Sequence, residues 1–598
     1  MRLGNVLRAH HAFSALCCLP GAWCQSQALA QADPVQPGEA LAVFERADAW
    51  IESGQVPPGA ESSPVAGASV AIRLDGRLVG RGVSIGPEPD AGRVGRAVEE
   101  ALRVARSAME EAGPEPRMTL SLELATELVP IRLAEGEDLA TRLSPGLDGL
   151  ALRRGDQTAA LFPSQMRERD TLPSAALGPL VALLGGTTAE KLTPAFELQE
   201  QGYALYRFRT TQLAEPVPGM SPRFLHRGGR VVGMHEITEA GLTEYAQGLI
   251  NHLIGLEWNG REPVGLGGSL EPVTGRRDEL HAPPVTQASV ALALLRASRL
   301  AGLDPVTAEM ARSSGEQLLR ELADVADTEP EPWGSADSAA ACVIALAEIP
   351  ERRLESDPEL SALRDRCLPA VRGAHSERTG FTQALGSGRT ALVAYALVRD
   401  AIRFGGDRVG ARAAVNAVYR DTPPGLLVSQ MPWLGWASLE LAGPDPVPSA
   451  TLLREMRALV WQNRLRSVDV EYQDRDLAGG IVFTRGTTPL PTWHSLRPLA
   501  FIVSMLGREE LTARTGTGEP GEWSTELVNA MESLRFVMQL SAGLEEGHMY
   551  AQPGLARYGV RASLWDQSMP TEASALALLT VTELLEAIRS RRGAQDAD

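Results

Sequence analysis

The sequence predicts a multidomain protein in which an α+β domain is followed by an all-α domain. Two patterns carry this prediction. Short runs in which apolar and polar residues alternate, as they do in half-buried strands, occur in the first 215 residues. From about residue 237 onward the apolar residues recur at helical spacing, and charged amphipathic helices alternate with helices that are apolar almost all round. A chain of 598 residues also exceeds the size of one ordinary core.

The first segment is typical of a cleaved secretory signal. Two arginines precede an apolar run that ends near Cys24, and alanine then occurs at every second position from Ala28. A basic start, an apolar run of about 7–15 residues and an Ala-x-Ala end are the marks of such a signal. We therefore expect residues 1–32 to be a signal peptide cleaved near Ala30 or Ala32, and the mature protein to be periplasmic or extracellular. A disordered extension is the alternative.

An α+β domain is predicted over residues 33–215. Its first strands are two alternating runs joined by Asp75-Gly76, a dipeptide that favours a two-residue hairpin turn. A helix with one apolar stripe follows over residues 95–111. Further strand-like segments lie at residues 118–124, 149–153, 158–162 and 203–210. Interspersed helices and strands of this kind indicate an α+β arrangement.

Three segments of this domain resemble the core of AMMECR1-like domains. They are Leu120 to Ile131, which ends in Pro-Ile, the turn Ser144-Pro-Gly-Leu-Asp-Gly-Leu150, and Ala160-Leu-Phe-Pro163. Residues 78–86 stand where that family has its Leu-Arg-Gly-Cys-Ile-Gly motif, with one residue inserted and no cysteine. The resemblance implies the family's fold for less than a third of the chain. It implies no settled biochemical activity, and the missing cysteine argues against a thiol-dependent role.

The helical domain is predicted over residues 237–592, behind a linker and short hairpin at residues 216–236 and before a disordered tail at residues 593–598. Proline-rich composition marks the linker. Amphipathic helices, suited to an outer layer, are predicted at residues 237–256, 306–325, 358–374, 408–419, 450–465 and 523–540. Apolar helices, suited to a buried inner layer, are predicted at residues 285–300, 335–349, 387–403, 430–442, 492–507 and 570–588.

Six helices of each kind favour an (α/α)6 toroid over an open superhelix. Thr286-Gln-Ala-Ser289 opens the first apolar helix and Thr571-Glu-Ala-Ser574 opens the last, which indicates an internal repeat. The arrangement resembles two superfamilies in outline, the six-hairpin glycosidase-like enzymes and the terpenoid-cyclase-like toroids. The second implies an Asp-rich motif or a zinc site, and Asp474-Arg-Asp476 is only a fragment of such a motif.

Charge and motif content exclude several function classes. The chain has 57 Lys plus Arg against 75 Asp plus Glu, a formal net charge of -18, so a nucleic-acid partner is not expected. No segment after the leader has the 18 or more charge-poor apolar residues that cross a bilayer. Phosphate-binding Gly-Lys-Ser/Thr, zinc-binding His-Glu-x-x-His and Cys-x-x-Cys are all missing, so neither a metal nor a cofactor is expected. The oligomeric state is left open.

Aromatic and acidic residues coincide in the loops that lead into the inner helices, which a toroid would gather around one mouth. The candidate catalytic carboxylates are Glu471, Asp474, Asp476 and Asp566, and the candidate substrate-binding residues are Trp493, His494, Tyr550 and Trp565. Two acids several ångströms apart can serve as proton donor and base at a glycosidic bond, and flat rings suit sugar faces. The sequence therefore predicts a glycan-active or glycan-binding protein. An enzyme of this kind would be a hydrolase, lyase or epimerase.

A non-catalytic interpretation stays open beside it. The aromatic residues would then lock the loops over the toroid, and the acids would cap helices and form turns. On that hypothesis the protein is a scaffold or binding protein built on the AMMECR1-like domain. Acids paired with arginine would favour this alternative, because the pairing holds such carboxylates in the charged form.

Cys342 and Cys367 are the cysteines that remain after removal of the leader. The helices predicted around them are joined by a turn at residues 350–357, which would place the two thiols opposite each other in an antiparallel hairpin. A disulfide in an oxidising compartment and two buried free thiols are the alternatives.

Overall fold

The computed structural model describes residues 35–112, 117–258, 265–328, 335–382, 388–483, 490–514 and 523–595. The predicted signal peptide at residues 1–32 lies outside these ranges. Of the predicted tail, residues 593–595 belong to the last helix and the remainder lies outside the described residues. An antiparallel sheet with flanking helices forms the N-terminal half, and helices form the C-terminal half, which confirms the predicted order of a mixed part and an all-α part.

The N-terminal half consists of strands with helices between them. The strands are β1 (Val65–Leu74), β2 (Arg77–Asp90), β3 (Met118–Ala125), β4 (Val129–Ile131), β5 (Asp148–Arg154), β6 (Gln157–Leu161), β7 (Tyr203–Ala214) and β8 (Arg223–Leu225). The helices are α1 (Pro37–Glu52), α2 (Arg93–Glu111), α3 (Pro163–Arg167), α4 (Leu177–Leu183), α5 (Thr188–Lys191) and α6 (Ala195–Glu200).

These strands form one antiparallel sheet in the order β2-β1-β3-β7-β5-β6, with β4 and β8 also paired to β7. Asp75 and Gly76, both at positive φ, join β1 to β2 in the turn predicted from the Asp-Gly dipeptide. Helix α2 packs so closely on these strands that a Cβ on Gly82 would overlap the carbonyl oxygen of Ala97. Gly82 is thus required for packing of the helix on the sheet.

The C-terminal half alternates outer and inner helices. The outer helices are α7 (Glu239–Gly255), α9 (Pro305–Thr328), α12 (Pro358–Gly373), α14 (Arg408–Asp421), α16 (Ala450–Gln462) and α19 (Trp523–Leu540). The inner helices are α8 (Pro284–Ala297), α10 (Ala336–Leu346), α13 (Arg389–Arg403), α15 (Trp433–Ala442), α17 (Leu496–Met505) and α21 (Thr571–Gln595). The loops carry α11 (Glu351–Ser356), α18 (Glu509–Thr512), α20 (Pro553–Ala556), β9 (Leu270–Glu271), β10 (Arg276–Arg277), β11 (His375–Ser376) and β12 (Gly380–Phe381).

The six inner helices contact one another in cyclic order, and we call this set the helical ring. Helix α8 packs against α10, α10 against α13, and the series continues through α15 and α17 to α21, which packs against α8. Every residue of α10 is buried, the polar Asp337 included. Outer helices cover the ring, with α9 on α8, α12 on α10 and α14 on α13.

Each of the twelve helices predicted for this half has a counterpart in the structure. The apolar helix predicted at residues 492–507 is shorter, because Trp493–Ser495 forms a 3₁₀ turn before α17 begins at Leu496. The last predicted helix is longer and continues to Gln595. No helix in the described part of the chain is long and apolar enough to span a membrane.

The N-terminal half lies against one end of the helical ring. The loops that lead into α17 and α21 make this contact. Arg223 of β8 is paired with Glu545, at 2.6 Å between Nη1 and Oε1, and the backbone N–H of Gln567 donates a hydrogen bond of 2.7 Å to Asp170 Oδ1. The C-terminal ends of the inner helices form the opposite end of the ring.

Candidate functional site

The first predicted acidic segment lies at the contact between the two halves. Glu471, Asp474 and Asp476 lie in or next to a 3₁₀ turn at Tyr472–Leu477, between α16 and α17. Arg227, just beyond β8, contacts Asp474 with one guanidinium nitrogen and Asp476 with another. The side chains of Arg227 and Asp476 are almost fully buried. The structure therefore brings these two predicted acids together around an arginine of the N-terminal half.

The surroundings of Asp476 keep its carboxylate ionised. Burial alone would raise the pKa, but the charge of Arg227 and the close contact with His226 outweigh burial and lower the pKa of Asp476 to about 2. The Nε2 atom of His226 lies 3.4 Å from Asp476 Oδ1. In this arrangement Asp476 acts as the ion-pair partner of Arg227 and does not exchange protons near neutral pH.

Glu471 is exposed and lies at the edge of the same contact. One of its carboxylate oxygens accepts a hydrogen bond from the side-chain amide of Gln473. The amide oxygen of Gln473 in turn accepts a hydrogen bond from Arg209 of β7. Glu471 is thus joined to the N-terminal half through one intervening side chain.

The turn at residues 144–150 holds Arg227 in place. The carbonyl oxygen of Pro145 accepts a hydrogen bond of 3.0 Å from Arg227 Nε, and that of Gly146 accepts one of 2.6 Å from Arg167. Gly146 has a φ of +77°, which favours glycine at this position. Burial lowers the pKa of Arg167 to about 10. The turn therefore has a structural role in the contact between the halves.

Asp566, the fourth predicted acid, lies in a different group of carboxyls. Its Oδ1 accepts hydrogen bonds from the backbone N–H and the hydroxyl of Ser568, at 3.0 and 2.6 Å. Asp170 of the N-terminal half and Glu271 of β9 lie close enough for their charges to interact with it, and their side chains are hydrogen-bonded to each other. Within the described ranges, no hydrogen bond or ion pair joins Asp566 to the acids of the 3₁₀ turn.

Two carboxyls of this second group have pKa values raised toward neutral pH. Burial and the neighbouring carboxylates raise the pKa of Glu271 to about 7 and that of Asp170 to about 6. Two carboxyls that are hydrogen-bonded to each other share a proton, since one of them must be the donor. Asp170 and Glu271 therefore bind protons more readily than the ion-paired Asp476.

The predicted aromatic residues differ in exposure. Tyr550 is fully buried, its hydroxyl donates a hydrogen bond of 3.0 Å to Gln567 Oε1, and burial raises its pKa. The ring centroids of Trp493 and His494 lie 4.2 Å apart, with Trp493 half-buried and His494 exposed. Trp565 is half-buried next to Asp566 in the chain. Tyr550 thus belongs to the packed interior, whereas the other three rings remain accessible.

Two other kinds of site find no support in the structure. Gly82-Val-Ser-Ile-Gly86 has the form of a nucleophile elbow, which requires its serine to stand at a turn from strand to helix. Ser84 instead lies within β2, where its hydroxyl accepts a hydrogen bond of 3.3 Å from Arg96. No group of three or more His, Cys, Asp or Glu side chains among the described residues could hold a metal ion.

A cavity of about 360 Å³ lies at the opposite end of the helical ring. Its charged lining consists of three arginines, Arg296, Arg299 and Arg399, and four glutamates, Glu348, Glu440, Glu583 and Glu586. These residues come from or directly follow the C-terminal parts of α8, α10, α13, α15 and α21. A second cavity of about 420 Å³ adjoins it, shares Arg299, Glu348 and Arg399, and adds Arg403.

Arg296 lies at the centre of the hydrogen-bond network in this cavity. Its Nε donates to Glu348 at 3.0 Å, its Nη1 to Glu583 at 3.1 Å and its Nη2 to the hydroxyl of Tyr395 at 2.7 Å. The guanidinium carbon lies 4.7 Å from the ring centroid of Trp436. Arg296 therefore joins three positions of the ring and covers one face of the indole.

Glu348 accepts hydrogen bonds from three arginines. Arg296 and Arg399 contact its Oε1, each at 3.0 Å, and Arg299 contacts its Oε2. Burial alone would raise the pKa of Glu348, but the three positive charges lower it to about 2. The wall of the cavity is thus a fixed array of paired charges.

Sequence analysis did not identify this cavity. In four of the inner helices a charged residue that lines the cavity directly follows a run without charges: Arg296 in α8, Arg399 in α13, Glu440 in α15 and Glu583 in α21. A charge that recurs at one place in successive apolar helices is a signal that these positions share one end of the bundle. That recurrence could have indicated the cavity.

Cys342 of α10 and Cys367 of α12 are both buried and both free. A hydrogen bond to Cys367, together with burial, raises the pKa of the Cys342 thiol. The two helices pack against each other, as the predicted hairpin requires. The disulfide itself stays a prediction.

No protein-family model matches the chain, and no curated protein matches it. Among solved structures, the chain is similar to an uncharacterized protein from Pyrococcus horikoshii, at 16% sequence identity and a TM-score of 0.23. The similarity covers 31% of this chain and 96% of that protein.

Proposed function

We propose that the protein is a non-catalytic binding protein made of an AMMECR1-like domain at residues 33–215 and an (α/α)6 toroid at residues 237–592. The cyclic contacts of the inner helices and the layer of outer helices support the toroid. The order of β3, the turn at residues 144–150 and the β5–β6 pair supports the AMMECR1-like domain. In this proposal the first domain closes one mouth of the toroid.

One observation carries the proposal, the pairing of Arg227 with both Asp474 and Asp476. Two of the four candidate catalytic acids are thereby charged partners of an arginine. The docked N-terminal half also occupies the mouth at which a glycan would have to enter. A closed mouth with fixed charges suits a rigid binding platform, because a hydrolase needs an acid that changes its protonation state beside bound substrate.

The test is a screen of the mature chain, beginning at Asp33, against glycans, peptides and small metabolites. A shift in melting temperature reports binding, and mass spectrometry of the same mixtures reports conversion. We expect at least one class to raise the melting temperature and none to be converted. Conversion that is lost in Asp476→Asn but kept in the exposed control Glu455→Gln would overturn the proposal, and so would a screen in which nothing binds.

A glycan-active enzyme is the second candidate, favoured by the carboxyl group at Asp170, Glu271 and Asp566. An acid that is protonated near neutral pH beside an ionised carboxylate is the pair that a hydrolase uses. Glu271, with its pKa raised to about 7, would be the acid, Asp566 the base, and Trp565 the sugar-contacting ring. On this candidate Glu271→Gln lowers turnover at least about a hundredfold. The same screen decides it, since the candidate requires a converted glycan.

Export of the mature protein is part of the proposal, supported by the form of the leader. N-terminal sequencing of protein recovered from the periplasm or the medium should give a chain that begins at Gln31 or Asp33. Recovery of the chain in the cytoplasm with Met1 retained would contradict export.

A further inference from the structure

Two charged residues at the end of the helical ring away from the N-terminal half, one acidic and one basic, form no ion pair within the described residues. Glu586 of α21 makes no hydrogen bond or ion pair within the described residues, although it lines the cavity. Arg403, at the end of α13, has no carboxylate partner within the same residues, and its Nη2 donates a 3.2 Å hydrogen bond to the carbonyl of Ile349. These groups are therefore free to meet charges on a ligand.

The two unpaired charges lie on opposite sides of the ring. In the cyclic order α8, α10, α13, α15, α17, α21, three steps separate α13 from α21 in either direction. Glu583, one turn from Glu586, adds negative charge on the α21 side, whereas Arg299, just beyond α8, lines the second cavity with Arg403 and is also close enough to Glu586 for its charge to act on that carboxyl. The combined cavity thus has a negative side and a positive side.

Between these sides the wall consists of paired charges. Arg296 and Arg399 are paired with Glu348, Glu440 and Glu583 at 3.0–3.1 Å. Buried pairs of this kind are costly to break, so they shape the cavity and leave the two ends as the groups that select a ligand. Partial burial and the neighbouring Glu583 raise the pKa of Glu586, a shift that a bound cation would reverse.

We propose that the two adjoining cavities form one binding site for a small zwitterion of the size of a dipeptide, with the ammonium group at Glu586 in the first cavity and the carboxylate at Arg403 and Arg299 in the second. The inference rests on the proposed binding function and assigns its site. The volume of about 360 Å³ is at the lower end of ligand cavities, which suits a short molecule. Because Arg296 covers a face of Trp436, the cavity lacks the open aromatic platform that a neutral sugar ring would use.

The test is isothermal titration calorimetry of the full chain with L-alanyl-L-alanine and two blocked analogues. N-acetylation of the dipeptide removes the positive charge, and C-terminal amidation removes the negative charge. We expect either blocked form to bind at least about tenfold more weakly than the dipeptide, since a lost charge pair at each end is worth about 1.4 kcal/mol or more.

Charge-specific variants assign each end of the ligand to its residue. Glu586→Gln should lower the affinity for the dipeptide about tenfold and leave the affinity for the N-acetylated form unchanged. Arg403→Gln should lower the affinity for the dipeptide and leave the affinity for the amide unchanged. Glu455→Gln, an exposed acid on the outer helix α16, is the matched control and should change neither. Melting curves of all three variants confirm that they fold.

The proposal is overturned if the three ligands bind equally, if the dipeptide gives no heat at millimolar concentration, or if Glu586→Gln and Arg403→Gln leave its affinity unchanged. A neutral disaccharide that binds in the cavity in place of the dipeptide would also overturn it, while leaving the binding function standing. Conversion of any ligand to product would instead contradict the proposed non-catalytic binding function. Failure of the dipeptide site and failure of the binding function therefore give different results.

Discussion

Arg227 and Asp476 form a buried ion pair between the two halves of the protein, with 2% and 0% of their side chains exposed. The arginine follows a strand of the sheet, and the aspartate belongs to a turn between two helices 249 positions later in the chain. Because Arg227 also contacts Asp474 and the carbonyl of Pro145, its guanidinium is satisfied on both sides of the contact. The pair is thus a defined attachment point of the N-terminal half on the helical half.

Replacing Arg227 should destabilise the protein strongly. Arg227→Met leaves the carboxylate of Asp476 buried without its cation, which costs about 3–5 kcal/mol of unfolding free energy. Urea titration measures the loss. Arg230→Gln breaks the more exposed pair with Glu236 and should cost less than about 1 kcal/mol. Similar losses in the two variants would show that the buried pair is not a special attachment.

The unfolding free energy should decrease as pH rises from about 4 to about 7, because of the carboxyls at the interface. The raised pKa values of Asp170 and Glu271 mean that the folded chain binds more protons than the unfolded chain over this range. Asp170→Asn removes one titrating group and keeps an oxygen for the N–H of Gln567. The decrease between about pH 4 and about pH 7 should therefore be smaller in this variant.

The comparison with wild type is needed because buried histidines act in the opposite sense. Burial lowers the pKa of His252 to about 4 and that of His548 to about 3, so their contribution to stability falls as pH decreases below about 6.5. The difference between Asp170→Asn and wild type cancels them. Asp445→Asn, an exposed site on the helical half, is the control, and a pH dependence equal to that of Asp170→Asn would refute the assignment.

The hydroxyl of Tyr395 should contribute about 1–3 kcal/mol to stability. It accepts a hydrogen bond of 2.7 Å from Arg296 and donates one of 2.6 Å to Glu440, and the residue is fully buried. Tyr395→Phe leaves both charged groups without this partner. Tyr472→Phe, with its ring mostly exposed, should change the unfolding free energy by less than about 0.5 kcal/mol. An unchanged unfolding free energy in Tyr395→Phe would show that the hydrogen-bond network does not depend on the hydroxyl.

Cys342 and Cys367 should be oxidised in protein taken from an oxidising compartment. Alkylation in denaturant followed by mass measurement should then find no reactive thiol, because the two buried sulfurs are already adjacent. Reduction should lower the unfolding free energy by about 3 kcal/mol. The double variant Cys342→Ala, Cys367→Ala should be insensitive to reductant. Two alkylated cysteines in the exported protein would establish the free-thiol alternative.

The helices could be predicted from sequence because their signal is local. Helix α10 is buried over its whole length, whereas α9 has one exposed face, and the composition of each segment predicts this difference. The sequence predicts α9 at residues 306–325, within a few residues of Pro305–Thr328. The hairpin at Asp75 was predictable for the same reason, since two adjacent residues determine the turn.

The site depends on pairs that are distant in the sequence. An acid-rich stretch ending at Asp476 has the same composition whether it faces a ligand or an arginine. Its partner Arg227 lies in the hairpin predicted within residues 216–236, whose sequence does not tell which acids this arginine meets. Asp566 was identified as a candidate, but its neighbours Asp170 and Glu271 come from separate parts of the chain. Only the folded arrangement shows which acids are paired and which share a proton.

Closure of the helical ring has a consequence for synthesis of the protein. Arg296 on α8 and Glu583 on α21 are bonded neighbours separated by 287 positions, an interval that a ribosome crosses in roughly 15–60 s. Throughout that time the apolar face of α8 that later packs on α21 is exposed to water. The growing chain must stay free of aggregation with this face uncovered, so chaperone capture and misassembly during translation should both be directed to the first inner helix.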